Sequence, residues 1–163
     1  DEASIDAVSQ AADKRSAQVK ELLTRPSDDD DASSDNPYQL MADLGSVMEQ
    51  AVAVRCDRNS IEQALATLDD TLTPRAEALH AHSDSPTFNP EITAIWEVRH
   101  LLELGKAVLA ASDARHESRG SLKRLDFPER DDEHFLAHSM TDVSCQVSWP
   151  VHIVDMPPKA REY

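Results

Sequence analysis

Apolar side chains recur every three or four residues over most of this chain, and at every second residue in only one short stretch near its end. The first pattern is that of amphipathic helices and the second that of a strand. Residues 5–24 carry Ile5, Val8, Ala12, Val19, Leu22 and Leu23 on one side of an otherwise polar helix, which Pro26 ends. Asn36-Pro37 is a helix start, because Asn caps and Pro at the first helical position loses no hydrogen bond that the helix needs. Leu40, Met41, Leu44, Val47, Met48, Ala51 and Val52 follow at helical spacing, predicting a helix to Val54 or Arg55. Ser60, with Gln63 placed for a capping box, opens the next, striped by Ile61, Leu65, Leu68 and Leu72. Thr73-Pro74 allows a kink or a fresh start before this helix stops near His82. Asn89-Pro90 then opens the longest helix, to about His116, with Ile92, Ile95, Trp96, Leu102, Val108 and Leu109 facing inward. Gly105 inside it points to close helix packing, and Gly120 fits a left-handed position past its end.

Beyond that point the periodicity fades. Residues 121–130 read as an extended charged loop, and Asp131 to Met140 as a short helix. Val143, Cys145, Val147, Trp149, Val151 and Ile153 alternate with polar residues, a strand signal that Pro150 restricts to an edge or a break. Pro157-Pro158 enforces an extended tail. Three amphipathic helices on short or moderate loops pack as an antiparallel bundle. The expected fold is therefore mainly α: a three-helix bundle of the spectrin-repeat kind, with an N-terminal helical arm and an irregular C-terminal tail holding at most short strands. Residues 1–35 form the arm and an acidic linker, and residues 36–163 the bundle with its wrapping tail. The run Asp28-Asp29-Asp30-Asp31 lacks the spaced ligands and turn glycine of a calcium loop and reads as solvated linker.

Composition narrows the function classes. Aromatic residues are 4% of the 163, so the core is built of Leu, Val, Ile, Ala and Met. A net charge of −15 repels phosphate backbones and anionic bilayers, which argues against nucleic-acid partners and membrane-surface binding. No apolar run is long enough for membrane insertion, and the first residues lack the basic and apolar regions of a signal peptide. Cys56 and Cys145, the two cysteines, suit a reducing compartment and have no metal-binding spacing. Gly45, Gly105 and Gly120 are the only glycines, so neither a dinucleotide fingerprint nor a phosphate-gripping loop can be written from this chain.

Few constellations could carry chemistry. His134 and His138 are four apart on one expected helix, beside Glu133. A zinc site would need a third ligand such as His116 or His152, and Phe135 stands where the zincin order requires Glu. His80 and His82 point to different sides of a helix end, where contact with the last carbonyls explains them. His100, beside Glu97 and Glu103, suits an interhelical hydrogen bond. Ser118 lies between neighbours in sequence rather than among converging groups, which is not triad geometry. No catalytic, cofactor-binding or metal-ligating residue is assigned. The charges from Arg115 to Glu133 are the richer set: Arg115, Arg119, Arg124 and Arg130 alternate with Glu117, Asp126, Glu129, Asp131, Asp132 and Glu133. Guanidinium–carboxylate forks of this kind pin an irregular loop or dock another domain, unless the loop is merely solvated.

The same residues carry a resemblance. Phe88-Asn89, Leu101-Leu102-Glu103-Leu104, Ala114-Arg115, Glu117-Ser118-Arg119-Gly120, Arg124, Asp126-Phe127-Pro128, Arg130-Asp131-Asp132-Glu133, Phe135-Leu136, His138-Ser139 and the ending Pro157-Pro158-Lys159-Ala160-Arg161-Glu162-Tyr163 stand in order at matching spacings. With Asn36-Pro37, Met48 and Arg55, they make residues 36–163 similar to the C-terminal helical domain of the succinate dehydrogenase and fumarate reductase flavoprotein family. Ser121 and Leu122 depart from the family's Ala-His, and His134 and Phe135 from its frequent Asn and Trp.

The resemblance implies a C-terminal piece of a larger oxidoreductase that interconverts succinate and fumarate. In such a protein FAD lies in the preceding Rossmann-like domain, and substrate is gripped by that domain and a mobile capping domain. Electrons pass through an iron–sulfur subunit to quinone. The whole is cytoplasmic, peripheral on the inner face of the cell membrane. The role implied for this chain is structural. Arg115, Glu117, Ser118, Arg119, Gly120, Arg124, Asp126, Arg130, Asp131 and Asp132 are the expected contact with the flavin domain. The Pro-Pro-Lys-x-Arg-x-Tyr ending favours the dehydrogenase over L-aspartate oxidase, whose C-terminal domain is similar. A freestanding acidic helical interaction module is the reading from another class.

Overall fold

The structure, a computed structural model, describes residues 2–24, 36–142 and 144–148, with side chains from residue 5 onward. Helix α1 spans Glu2–Leu23, α2 Pro37–Val52, α3 Arg58–Thr67, α4 Thr73–Glu77, α5 Pro90–Ala114 and α6 Asp132–Phe135. Strands β1 (Met140–Thr141) and β2 (Val147–Ser148) pair antiparallel. The strand expected over Val143–Ile153 is thus seen as its Val147–Ser148 part; Val143 and the residues from Trp149 on lie outside the described residues, as does the acidic linker.

The bundle forms as its apolar stripes require. Asn36 caps α2, its side chain accepting from the Gln39 amide at 2.8 Å, with Pro37 in the first turn. Asn89 and Pro90 do the same for α5. The second helix starts earlier than Ser60: Asp57 is its cap, and Ser60 returns the bond to the Asp57 amide, closing a capping box three residues upstream of the expected one. Between α3 and α4, Leu68–Leu72 is a single π turn, closed by the Thr73 amide on the Leu68 carbonyl. The kink signal at Thr73-Pro74 is met this way. Pro74 has no N–H and its ring crowds the carbonyl four residues back, and a widened turn accommodates both.

The core lies where α2, α3 with its π turn, and α5 meet: Leu40, Ile61, Leu68, Ile95, Val98 and Leu109 are completely shielded. Each such aliphatic side chain stabilises by about 1.5–3 kcal/mol. Gly105 lets α5 approach. A Cβ there would lie 3.3 Å from Leu68 Cδ2 and 3.5 Å from Met48 Sδ. Val108, expected inward, is exposed instead; the neighbouring Leu109, rotated about 100° around the helix, takes the core position. Helix α1 joins the bundle through its C-terminal half, where the Arg15 guanidinium lies 4.8 Å over the Trp96 ring of α5. Leu22 is buried, Val19 and Leu23 pack on the core, and the Ala81 amide donates to the Leu22 carbonyl at 2.8 Å. Ile5 and Val8, on the same stripe, are exposed.

Candidate interdomain site: the loop at the end of the long helix

Helix α5 stops two residues before His116, because Arg115 turns to an extended conformation. Its last carbonyls need partners, and Arg124 supplies them from the loop. The Arg124 guanidinium is 1% exposed. Its Nη1 donates to the carbonyls of Ser112, Asp113 and Arg115, while Nε and Nη2 fork onto Asp126 at 2.8 and 2.7 Å. The charge also complements the negative end of the helix dipole. The Arg124 hydrogen bonds, helped by an Arg58 amide, hold the Asp126 carboxyl down at about 2.

Glu117 is the second centre and is fully shielded. It accepts from Arg115 Nη1, from Arg119 Nε at 2.6 Å and Nη2 at 2.9 Å, and from the Asp131 amide at 2.8 Å. Burial alone would raise its pKa, but these donors outweigh it and hold the carboxyl below its ordinary value. Arg119 continues outward to Asp132 at 2.6 Å, and Asp132 takes the fork of Arg130. Arg115 reaches the other way, to the carbonyls of Phe135 (2.9 Å) and Ala137 (2.7 Å) and to Ser139 Oγ (3.0 Å), tying the segment after α6 to the end of α5.

The smaller parts complete the loop. Ser118 Oγ accepts from the Arg124 amide and donates to the Phe127 carbonyl, both at 2.9 Å, so its proton is committed to a backbone carbonyl rather than to a base that could activate it. Gly120 has φ +61° and sits in a tight turn in which Arg119 and Leu122 exchange two backbone hydrogen bonds of 3.0 Å. Its left-handed conformation was legible, but it turns a hairpin rather than ending a helix. His134 is held by Asp131, Nδ1 to Oδ2 at 2.9 Å, which raises its pKa. Helix α6 ends at Phe135, short of the expected Met140, because Arg115 draws the following carbonyls away. His134 and His138 therefore do not stack on one helix face, and no group of three His, Cys, Asp or Glu among the described residues could hold a metal ion. His80 Nδ1 meets the Ala78 carbonyl at 2.8 Å, the helix-end contact expected. His82 pairs with Glu91, and His100 is exposed.

Of the ten residues named from the sequence, Arg115, Glu117, Ser118 and Arg124 are buried with partners inside this chain. Gly120 is exposed, and Arg119, Arg130 and Asp132 keep 27, 29 and 39% of their side-chain surface. Sequence reasoning missed the other wall. The Cys56 amide donates to Lys123 and its carbonyl accepts from Leu125, at 2.9 and 2.8 Å, bridging the α2–α3 connection to the loop. Arg58 meets His116 Nε2 at 3.2 Å, and that ring stacks on Phe127 at 4.6 Å. A buried cysteine outside any helical stripe was the one available signal. Burial pushes its thiol pKa up, so it is inert.

The family model described as fumarate reductase flavoprotein C-terminus matches residues 41–163. The chain belongs to this family. The fumarate reductase flavoprotein subunit of Mycobacterium tuberculosis is 35% identical over 129 residues, covering 76% of this chain and 22% of the relative. A solved quinol–fumarate reductase with menaquinol molecules superposes with a TM-score of 0.73 at 25% identity, over 98% of this chain and 27% of that one. The L-aspartate oxidase of Streptomyces coelicolor is 27% identical over 121 residues, 74% of this chain and 20% of that enzyme. The chain thus spans about a fifth of the length of these curated relatives. As a flavoprotein C-terminal domain, it holds its long helix and its charged loop together with its own side chains. Among the described residues no strand leads into a helix through a glycine-rich turn, and the three glycines of the sequence are far apart.

Proposed function

We propose that this flavoprotein C-terminal domain is the structural domain of an enzyme that interconverts succinate and fumarate, and that it contributes no catalytic residue. The observation that carries the reading is the closed bonding of the Glu117 and Arg124 centres. Glu117, Ser118, Arg119, Arg124 and Asp126, the groups at those centres that resemble a base, nucleophile or anion clamp, are already engaged with one another. FAD, supplying the hydride chemistry, belongs to the preceding part of the polypeptide, where flavin and capping domains grip the substrate. An iron–sulfur subunit takes the electrons on toward quinone, and the assembly sits peripherally on the inner face of the membrane. No described helix is long and apolar enough to cross a membrane, which agrees with that placement. Residues 36–163 act as one domain, with residues 1–35 as its arm and linker.

In this reading the domain docks on the flavin domain through the outer edge of the loop, where Gly120, Ser121, Arg130 and Asp132 face outward, while Glu117 and Arg124 keep that edge rigid from beneath. Ser121→Trp in the full flavoprotein should lower flavin retention and leave the helical content unchanged; full retention would remove the docking role. Purification of the natural gene product tests the assignment itself. A protein about five times this length, bearing flavin and reducing a dye with succinate, is the expected result. L-aspartate, rather than succinate, reducing the flavin would favour the aspartate oxidase reading, which the Streptomyces relative supports. A product of about 18 kDa without flavin would leave a freestanding module.

A further inference from the structure

At the end of α5 opposite the charged loop, Phe88 combines two unfavourable features. Its φ is +52°, in the left-handed region that a bulky side chain rarely adopts, and its ring is 99% exposed. Glycine would sit there without strain, and burial would stabilise the ring, but the chain has neither. The loop is nevertheless braced to hold this conformation. Asn89 Nδ2 donates to the Ser83 and Ser85 carbonyls at 3.0 and 3.1 Å, Ser85 Oγ donates to the Thr87 carbonyl at 3.1 Å, and the Glu91 carboxylate bonds the amide and Nδ1 of His82 at 2.7 and 2.6 Å. Strain kept in a braced segment points to a use. Helix α1 brings more apolar surface to the same end. Arg15 lies over Trp96, and Glu21 shares a cleft with Arg99, Leu102, Glu103 and Lys106, so α1 runs beside α5 in the same direction. At equal rise per residue, Val8 stands level with the start of α5 and Ile5 beyond it. Both are 68% exposed, on the stripe whose other end, Val19 and Leu22, meets the core.

We propose that Phe88, Ile5 and Val8 form a second docking surface for the preceding, flavin-bearing part of the same polypeptide, with the Phe88 ring as its anchor. The inference rests on the functional reading above and adds a contact at the far end of α5 from the charged loop. Chemistry is the first argument. An aromatic ring with aliphatic neighbours is the composition of an interface hot spot, and a ring already held by its loop loses little freedom on docking. Connection is the second. In that reading the preceding polypeptide enters this domain through α1, which carries it to the Phe88 end. A body joined there meets the surface at millimolar effective concentration, ahead of a separate subunit or a second copy. Size is the third. The matched region is 22% of the tuberculosis relative, which leaves a preceding part about four times as long as this chain. Folded, such a part is more than about 50 Å across, whereas the 25 residues of α5 span about 37 Å, so one body reaches both ends.

The test places the photo-reactive p-benzoylphenylalanine at position 88 of the natural full-length gene product and maps the adduct by peptide mass spectrometry after irradiation. A cross-link within one polypeptide, to a peptide of its flavin-bearing part, is the expected result. A cross-link to a second copy or to another subunit, either visible as a gain in mass on a denaturing gel, would overturn the proposal. So would adducts confined to residues 1–163, or none. Those failures leave the functional reading intact where the wild-type product carries flavin and reduces a dye with succinate; a wild-type product without flavin would overturn the reading and this inference with it. Phe88→Gly supplies a change of sign. Glycine relieves the left-handed strain, so a ring without a partner predicts a higher melting temperature and a docked ring a lower one. Alkylation of Val8→Cys, whose side chain is exposed on the helix within this domain, should be slow in the full-length protein and at least about tenfold faster once Phe88→Gly is added. A raised melting temperature, or equal alkylation rates with and without the ring, would overturn the proposal.

Discussion

Through its middle, α5 is held by a dry apolar seam; at its last turn, by charge. Ile95, Val98, Leu102 and Leu109 pack into the bundle with no polar partner at all, while the carbonyls of Ser112, Asp113 and Arg115 hang on one buried guanidinium. The two regions obey different rules. Apolar burial is non-directional and graded, so a lost methylene costs in proportion to the surface and cavity it leaves. The charged loop is directional and mutual: Glu117 accepts from two guanidinia and an amide, so removing it takes the shared carboxylate from all three at once. A bundle built on the first rule drifts under mutation, whereas a loop built on the second either closes or opens.

The sharpest way to break this comparison is Glu117→Ala. It should cost about 3–5 kcal/mol, because buried Arg115 and half-buried Arg119 lose their common acceptor. Ile95→Val in the seam should cost only about 0.5–1.5 kcal/mol. Urea unfolding of both variants measures the contrast, and equal losses would mean that the loop is no more than a solvated surface.

Acid separates the two regions next. Glu117 lies below its ordinary value, and Asp126 is held at about 2 by Arg124. Both carboxyls titrate near 4 in the unfolded chain, so their stabilisation is complete above about pH 5 and falls away as pH drops through the folded values. Apolar packing has no such dependence. Amide exchange, corrected for its intrinsic pH dependence, should show residues 115–139 losing protection before residues 61–68. Simultaneous loss would place the loop's carboxylates outside the stability of the fold. His134 works in the opposite sense: its partner Asp131 raises its pKa, so that contribution is present at low pH and vanishes as pH rises past the folded value.

The same contrast explains how much could be read from the sequence. The caps at Asn36 and Asn89, the close approach at Gly105 and the three stripes were legible, because helices impose a period of 3.6 on whatever packs against them. The start of α3 was misplaced because Asp57 and Ser60 are both cap residues three apart. The structure uses both, one as cap and one as its reciprocal partner. In the loop the charged set was legible as a set, but its pairing was not. Ion pairs have no period, and nothing in the order Arg115, Glu117, Arg119 shows that the middle residue is enclosed. The shortness of α6 was hidden for the same reason, since it follows from where the Arg115 guanidinium reaches.

Two glycines give the finer test. Gly120, in the loop, has φ +61° and open space around a would-be Cβ. Gly120→Ala should therefore cost about 1 kcal/mol from backbone strain alone, with nothing else disturbed. A thermal shift much larger than that would mean that the turn is braced against something more than its own hydrogen bonds.

Gly105, in the seam, has the opposite balance. Its backbone is helical, so Ala there gains about 1 kcal/mol of helix propensity. The added methyl meets Leu68 Cδ2 at 3.3 Å, Met48 Sδ at 3.5 Å and Leu44 Cδ1 at 3.6 Å. All three are ends of side chains, and Met48 is half-buried and unbranched, so the seam can give by a few tenths of an ångström. The two effects nearly cancel, and Gly105→Ala should change stability by less than about 1 kcal/mol. Gly105→Val pushes a branched side chain against fully buried Leu68, beyond what side-chain ends can absorb, and should cost about 1–3 kcal/mol. That graded response, small for one carbon and larger for three, is what separates a seam from a loop in which a single missing partner undoes the whole arrangement. If Gly105→Ala proved as damaging as Glu117→Ala, the seam would be as unforgiving as the charges, and the difference between the two ends of α5 would disappear.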